Sequence, residues 1–219
     1  MRHHLARAQI ILLGTFILFS TLYILFALES ELAGQATTGT RVNITNSTPI
    51  TCSVSVVPGR NTVSWPCIST TEPLSDVLNN SPAVDAMYQY VPGTSDVWRV
   101  HTETLPNWVV SDLSSLSRRV GYVLIANAAA TFPVGGLNVS STSVPFLAGW
   151  SLVGYPAFTT RSPATAFSSI NLTLTEARTY DSGFLSYINV TQSGTLTEVT
   201  TGRGYWLNST TSGTWVVDT

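Results

Sequence analysis

The segment Pro58–Pro66, PGRNTVSWP, returns 90 positions later as AGWSLVGYP at Ala148–Pro156: a glycine turn, an apolar strand, then an aromatic–proline end. Tyr90 of AMYQYV aligns with Tyr180 of ARTYDS at the same offset of 90. Further on, RRVGYVLIAN (118–127) matches TGRGYWLNST (201–210), and ATFPV (130–134) matches GTWVV (213–217), now 83 apart. The blocks keep their order, so the chain is constrained to build one supersecondary unit twice. The fall from 90 to 83 gives the first copy about seven extra residues, placed between Trp98 and Arg118. A copy of this size has little core of its own, so the two are expected to pack on each other.

Within each copy the apolar period is mostly two. VWRVHTE, VGYVLIA, FLSYINV and GTWVVD read as strands. Thr71-Glu72-Pro73-Leu74 signals a short helix with Thr71 as N-cap and Pro73 in the first turn, running to about Asn79. Ser162-Pro163 starts its counterpart, through about Ile170. The expected fold is therefore mainly β: an N-terminal hydrophobic helix, then two related antiparallel β-rich repeats, each with a short helix. The boundaries read as a leader at 1–8, the helix at 9–31, a linker at 32–48, and repeats at 49–142 and 143–219.

The only cysteines are Cys52 and Cys67, flanking VSVVPGRNTVSW, two alternating runs around Pro58-Gly59-Arg60-Asn61. This reads as a β-hairpin. With Gly59 and Arg60 at the tip the cysteines fall opposite each other, within disulfide reach. A loop this short is stabilised by about 3 kcal/mol when closed, on the chain-entropy account.

Residues 9–28, QIILLGTFILFSTLYILFAL, hold 15 Ile, Leu, Phe, Tyr or Ala in 20 positions and no charge. At about 1.5 Å per residue such a helix spans a bilayer's hydrocarbon core. Arg2 and Arg7 precede it while Glu29 and Glu31 follow, so the tail is expected inside and the remainder outside. The segment reads as a retained signal anchor, as a signal peptide cut near Gly34-Gln35-Ala36, or as a filament helix. The last reading rests on likeness: Arg7-Ala8-Gln9 before an apolar helix resembles the processing site of archaeal type IV prepilins. That resemblance implies a cut between Ala8 and Gln9 and a helix, 9–31, packed against its copies in other subunits.

The repeats themselves resemble a module of prokaryotic, especially archaeal, surface proteins that opens on a "GWNLIS-P"-like strand and closes on a "GYWI"-like one. Gly149-Trp150-Ser151-Leu152-Val153-Gly154-Tyr155-Pro156 and Gly204-Tyr205-Trp206-Leu207 carry the likeness, while the first copy has Arg60 at the first aromatic position. The resemblance implies an extracellular β-rich module with no established catalytic role.

A net charge of −2 and the absence of Lys leave no basic surface for nucleic acid, and no lysine for a phosphate loop or Schiff base. Beyond the N-terminal segment the one histidine is His101, and the carboxylates are scattered. No catalytic, cofactor or metal site is expected, and no enzymatic activity. Seven of the eleven Asn residues start an N-x-Ser/Thr sequon: Asn43, Asn46, Asn79, Asn138, Asn171, Asn189 and Asn208, with Asn79 the weakest because Pro82 follows. All but Asn79 are expected to carry glycans. Trp65, Trp150, Tyr122, Tyr205 and Trp206 stand at matched repeat positions and are assigned to the core, leaving Trp98 and Trp108 as the candidate ligand surface. The chain is thus expected to be a membrane-anchored extracellular structural or adhesive protein. The alternatives are a pilin-like filament subunit and a glycan-binding or glycan-active surface protein. Its expected partners are the bilayer or other copies through the 9–28 helix, and surface glycans or cell-envelope proteins.

Overall fold

Alternation decides the first strand. In β1 (Pro49–Val56) Cys52, Val54 and Val56 are buried while the residues between them are exposed. The computed structural model describes residues 49–218 except 70, 80, 103–105 and 107–109. The expectations for the leader, the apolar helix and the linker, including Arg7, Ala8, Gln9, Asn43 and Asn46, lie outside the described residues, as does that for Trp108. Among the described residues, no helix is long and apolar enough to cross a membrane.

β1 pairs antiparallel with β8 (Ala130–Leu137), setting Val54 opposite Phe132 and Cys52 opposite Val134. A four-stranded antiparallel sheet has the order β2 (Gly59–Val63), β7 (Tyr122–Ala126), β4 (Val84–Tyr90), β5 (Trp98–Thr102). Helix α1 (Leu74–Leu78) follows β3 (Glu72–Pro73), which pairs with β6 (Ser115–Leu116). Its N-cap is Pro73 rather than Thr71, and it ends on Asn79 in the left-handed region, φ 49°. In the second half β9 (Ser141–Phe146) pairs with β15 (Gly213–Asp218). The larger sheet runs β10 (Gly149–Gly154), β14 (Gly204–Ser209), β11 (Leu174–Tyr180), β12 (Phe184–Ile188), β13 (Ser193–Gly194). Between β10 and β11 lie α2 (Pro163–Ala166) and a 3-10 turn at Ser168–Ile170.

The described chain is mainly β and antiparallel. Strand order β2-β7-β4-β5 corresponds, strand for strand, to β10-β14-β11-β12. Even the bulges correspond, at Val84/Ala86 and Leu174/Glu176.

The hairpin expectation is corrected. β1 and β2 belong to different sheets and do not pair. Gly59, at φ 95°, turns the chain from one layer to the other, and the Asn61 amide accepts from the Val57 N–H and donates to the Val57 carbonyl. Alternation reports which face of a strand is buried but not which strand lies beside it, and here both runs bury better by stacking face to face. The Cys52–Cys67 disulfide forms nonetheless, with Cα atoms 5.9 Å apart. It ties β1 to the segment after β2, where the Cys67 carbonyl accepts from the Leu137 N–H. The extra residues of the first half also sit differently. The β4–β5 connection, 91–97, is longer than the β11–β12 connection, 181–183, so four of the seven precede Trp98.

Each half closes its own core. Trp65, Ile68, Met87, Tyr122, Leu124 and Phe132 fill the first, and Tyr155, Phe167, Tyr205, Leu207 and Trp215 the second. Full burial of a large apolar side chain is worth about 1.5–3 kcal/mol. The two halves join through matched contacts. Single bridges link Val63 to Arg203 and Val153 to Val120. The Ser64 N–H donates to the Gly202 carbonyl and the Gly154 N–H to the Arg119 carbonyl, each at 3.0 Å. Gly121 and Gly204 permit this approach: a Cβ on Gly204 would lie 3.0 Å from the Gly121 Cα, and one on Gly121 would lie 2.6 Å from the Val153 oxygen.

Candidate ligand groove

The four-stranded and the five-stranded sheet each have one face against a two-stranded ribbon and a second face turned away from it. Period two puts Arg60 and Thr62 of β2, Tyr88 of β4, Trp98 and Val100 of β5, and Val123 and Ile125 of β7 on that second face. Trp150 of β10, Arg178 and Tyr180 of β11, Phe184 of β12 and Trp206 of β14 come from the other half. Together they line a groove of about 740 Å³, within the range of small-ligand sites.

The registers build it. Tyr88 lies opposite Val100 on one side and Val123 on the other, and Trp206 lies opposite Arg178 and Leu152. The rings meet across the junction between the halves. Tyr90 and Trp206 have centroids 5.1 Å apart, and Trp98 and Trp206 6.1 Å, nearly edge to face. Such contacts are worth about 0.5–1.5 kcal/mol beyond their burial.

Two guanidinium groups lie over rings. Arg178 sits 5.0 Å above Trp150 and is held by Glu176, whose carboxylate accepts from Nε and Nη2. That bond raises the Arg178 pKa further above its ordinary value. Arg60 lies 5.9 Å over Tyr180, and among the described residues no carboxylate pairs with it. A guanidinium stacked on a ring keeps its N–H edge free for an anion. Among the described residues, no carboxylate lines the groove.

Of the residues singled out in the sequence, Trp98 lies in the groove at 39% exposure. Trp65, Tyr122 and Tyr205 are buried. The assignment of Trp150 and Trp206 to the core is corrected: both are half-buried and line the groove. Adjacent strand residues face opposite ways, so with Tyr205 inward Trp206 must point outward. Arg60, Tyr88, Arg178, Tyr180 and Phe184 were not anticipated. Their spacing at i and i+2, as in Arg178-Thr179-Tyr180, was the available signal.

Elsewhere the chemistry is sparse. His101, opposite Met87 on β5, shares the strand face away from Trp98 and Val100. Asp181 and Glu198 line a separate hollow of about 200 Å³, where Asp181 pairs with Arg203. Among the described residues, no group of three His, Cys, Asp or Glu could hold a metal ion. The sequons differ in their setting. Asn79, Asn138 and Asn171 are exposed. Asn189 instead spends its amide nitrogen on the carbonyls of Asn171 (2.6 Å) and Leu174 (2.9 Å), the atom a glycan would need. Asn208 is half-buried on β14, opposite Trp150 and Glu176. Comparison with protein families, with curated proteins and with solved structures finds no match to this chain.

Proposed function

We propose that this chain is a membrane-anchored surface protein whose ectodomain consists of two copies of one β-rich repeat and serves adhesion. The corresponding strand orders, bulges and junction contacts support common descent of the halves. The disulfide supports an oxidising compartment, in keeping with the charge bias around residues 9–28. The observation that carries adhesion is the groove: three tryptophans and two arginines gathered from both halves.

The test is twofold. A C-terminal tag should be removed by external protease on intact cells, and purified protein should coat isolated cell envelopes, with Trp98→Ala cutting that binding at least about tenfold. A protected tag overturns the surface placement, and undiminished coating by Trp98→Ala overturns the groove as the adhesive site. Arg7-Ala8-Gln9 favours a second reading, the pilin-like subunit. A mature N-terminal peptide beginning at Gln9 supports it, and one retaining Arg2–Arg7 ends it.

A further inference from the structure

We infer that the groove between the two halves binds an acidic saccharide, one carboxylate-bearing sugar seated at Arg60 and its neighbours lying on Trp98 and Trp206. The inference rests on the adhesive reading and specifies its ligand. Charge selects the class first. Among the described residues the lining contains two arginines and no carboxylate. Arg178 is already neutralised by Glu176, which leaves Arg60, fixed over Tyr180, as the cation for one ligand anion. A bond of that kind is charge-assisted and can be bidentate.

The walls select the saccharide over a peptide. The groove is lined by side chains that stand on sheet faces; β7, β4, β14 and β11 are paired on both sides, while β2, β5 and β10 are outer strands. An extended peptide gains much of its affinity from main-chain hydrogen bonds along a sheet edge, whereas the lining of this groove is made of side chains. It offers rings and a guanidinium. Pyranose rings carry apolar C–H faces that lie on indole, and a uronic or sialic sugar adds the carboxylate. Both halves supply parts of the site, Arg60 and Trp98 from the first and Trp206 from the second.

The experiment uses the full chain in a detergent without a sugar headgroup, titrated with oligogalacturonate, a sialylated oligosaccharide, their methyl esters and oligoglutamate. Tryptophan fluorescence and calorimetry give the affinities. At least one acidic sugar should bind about tenfold or more tighter than its ester. Arg60→Gln should reduce acid affinity to that of the ester with Tm unchanged, since Arg60 is exposed, and Trp98→Ala should remove binding of both. Equal affinity for acid and ester, no binding of either acidic sugar, or oligoglutamate binding as tightly as the sugars would each overturn the inference. Because purified protein is used, failure here is distinguishable from failure of the surface placement, which the protease experiment reads on cells.

Discussion

The two halves hold the same joint by different means. Cys52 and Cys67 of the first correspond, 90 positions on, to Thr142 and Ala157 of the second, and all four are buried. Where the disulfide fastens the segment after β2 to its ribbon, the second half relies on rings. Tyr155 stacks on Trp215 at 5.8 Å, Phe167 lies 5.1 Å from Trp215, and the indole N–H of Trp215 donates to the Ala166 carbonyl. In the first half Trp65 has an indole N–H without a partner among the described residues, and Phe132 stands where the second has Trp215. A second substitution follows the same line. Arg118 donates to the carbonyls of Cys67, Ile68 and Leu137, whereas Thr201, its counterpart, donates to the Ala157 carbonyl alone. The comparison teaches that a small β unit needs its connecting segment pinned to its ribbon, and that a covalent staple or an aromatic cluster can each do it.

Breaking the aromatic side should cost most. Trp215→Ala is expected to lower unfolding free energy by about 3–5 kcal/mol in urea titration, because a fully buried indole and its hydrogen bond are lost together. Phe132→Ala should fall at the low end of that range, since the disulfide still pins the first half. Equal losses would sink the division of labour. Next comes the staple: replacing Cys52 and Cys67 by Ala should cost about 3 kcal/mol. Thr142→Cys with Ala157→Cys should oxidise spontaneously, leaving no titratable thiol, if the joints share their geometry.

What the halves share can be tested at the next smaller scale. The Ser117 N–H donates to the Tyr122 hydroxyl at 2.8 Å and the Thr200 N–H to the Tyr205 hydroxyl at 2.7 Å, each reaching five residues upstream as in a tyrosine corner. Tyr122→Phe and Tyr205→Phe should each cost about 1 kcal/mol, and similar amounts, by leaving one backbone donor without its acceptor. A difference above about 1 kcal/mol would argue that the two corners are not equivalent. The smallest effect is one of pH. Burial raises the pKa of both phenols, and the folded state therefore favours their neutral forms. Stability should hold up to about pH 10, the ordinary tyrosine value, and decline above it as the unfolded chain ionises first. The part of the tyrosinate absorbance that Tyr122→Phe and Tyr205→Phe remove should appear together with unfolding, and its appearance ahead of unfolding would contradict their burial.

Much of this could be read from residue order. The alternating blocks foretold antiparallel β structure because they carry the strand and turn chemistry that local backbone preferences obey. The disulfide partners were legible because there are only two cysteines. The hairpin was not, since nearness in sequence competed with face-to-face burial and lost. The division of aromatics into core and groove was half legible. Strand alternation separates Tyr205 from Trp206, but assigning matched positions wholesale to the core overlooked that each sheet has two faces.

By itself the residue order determined the β character, the cysteine pairing and the apolar segment at 9–28, all consequences of composition, period and spacing along one chain. Only the tertiary structure decided which strands are neighbours and that the outward faces of the two halves meet. Arg60 and Tyr180 lie 120 positions apart, and no local preference encodes their approach. Their meeting follows from the close packing that Gly121 and Gly204 allow at the junction, a property of two surfaces and not of any one segment.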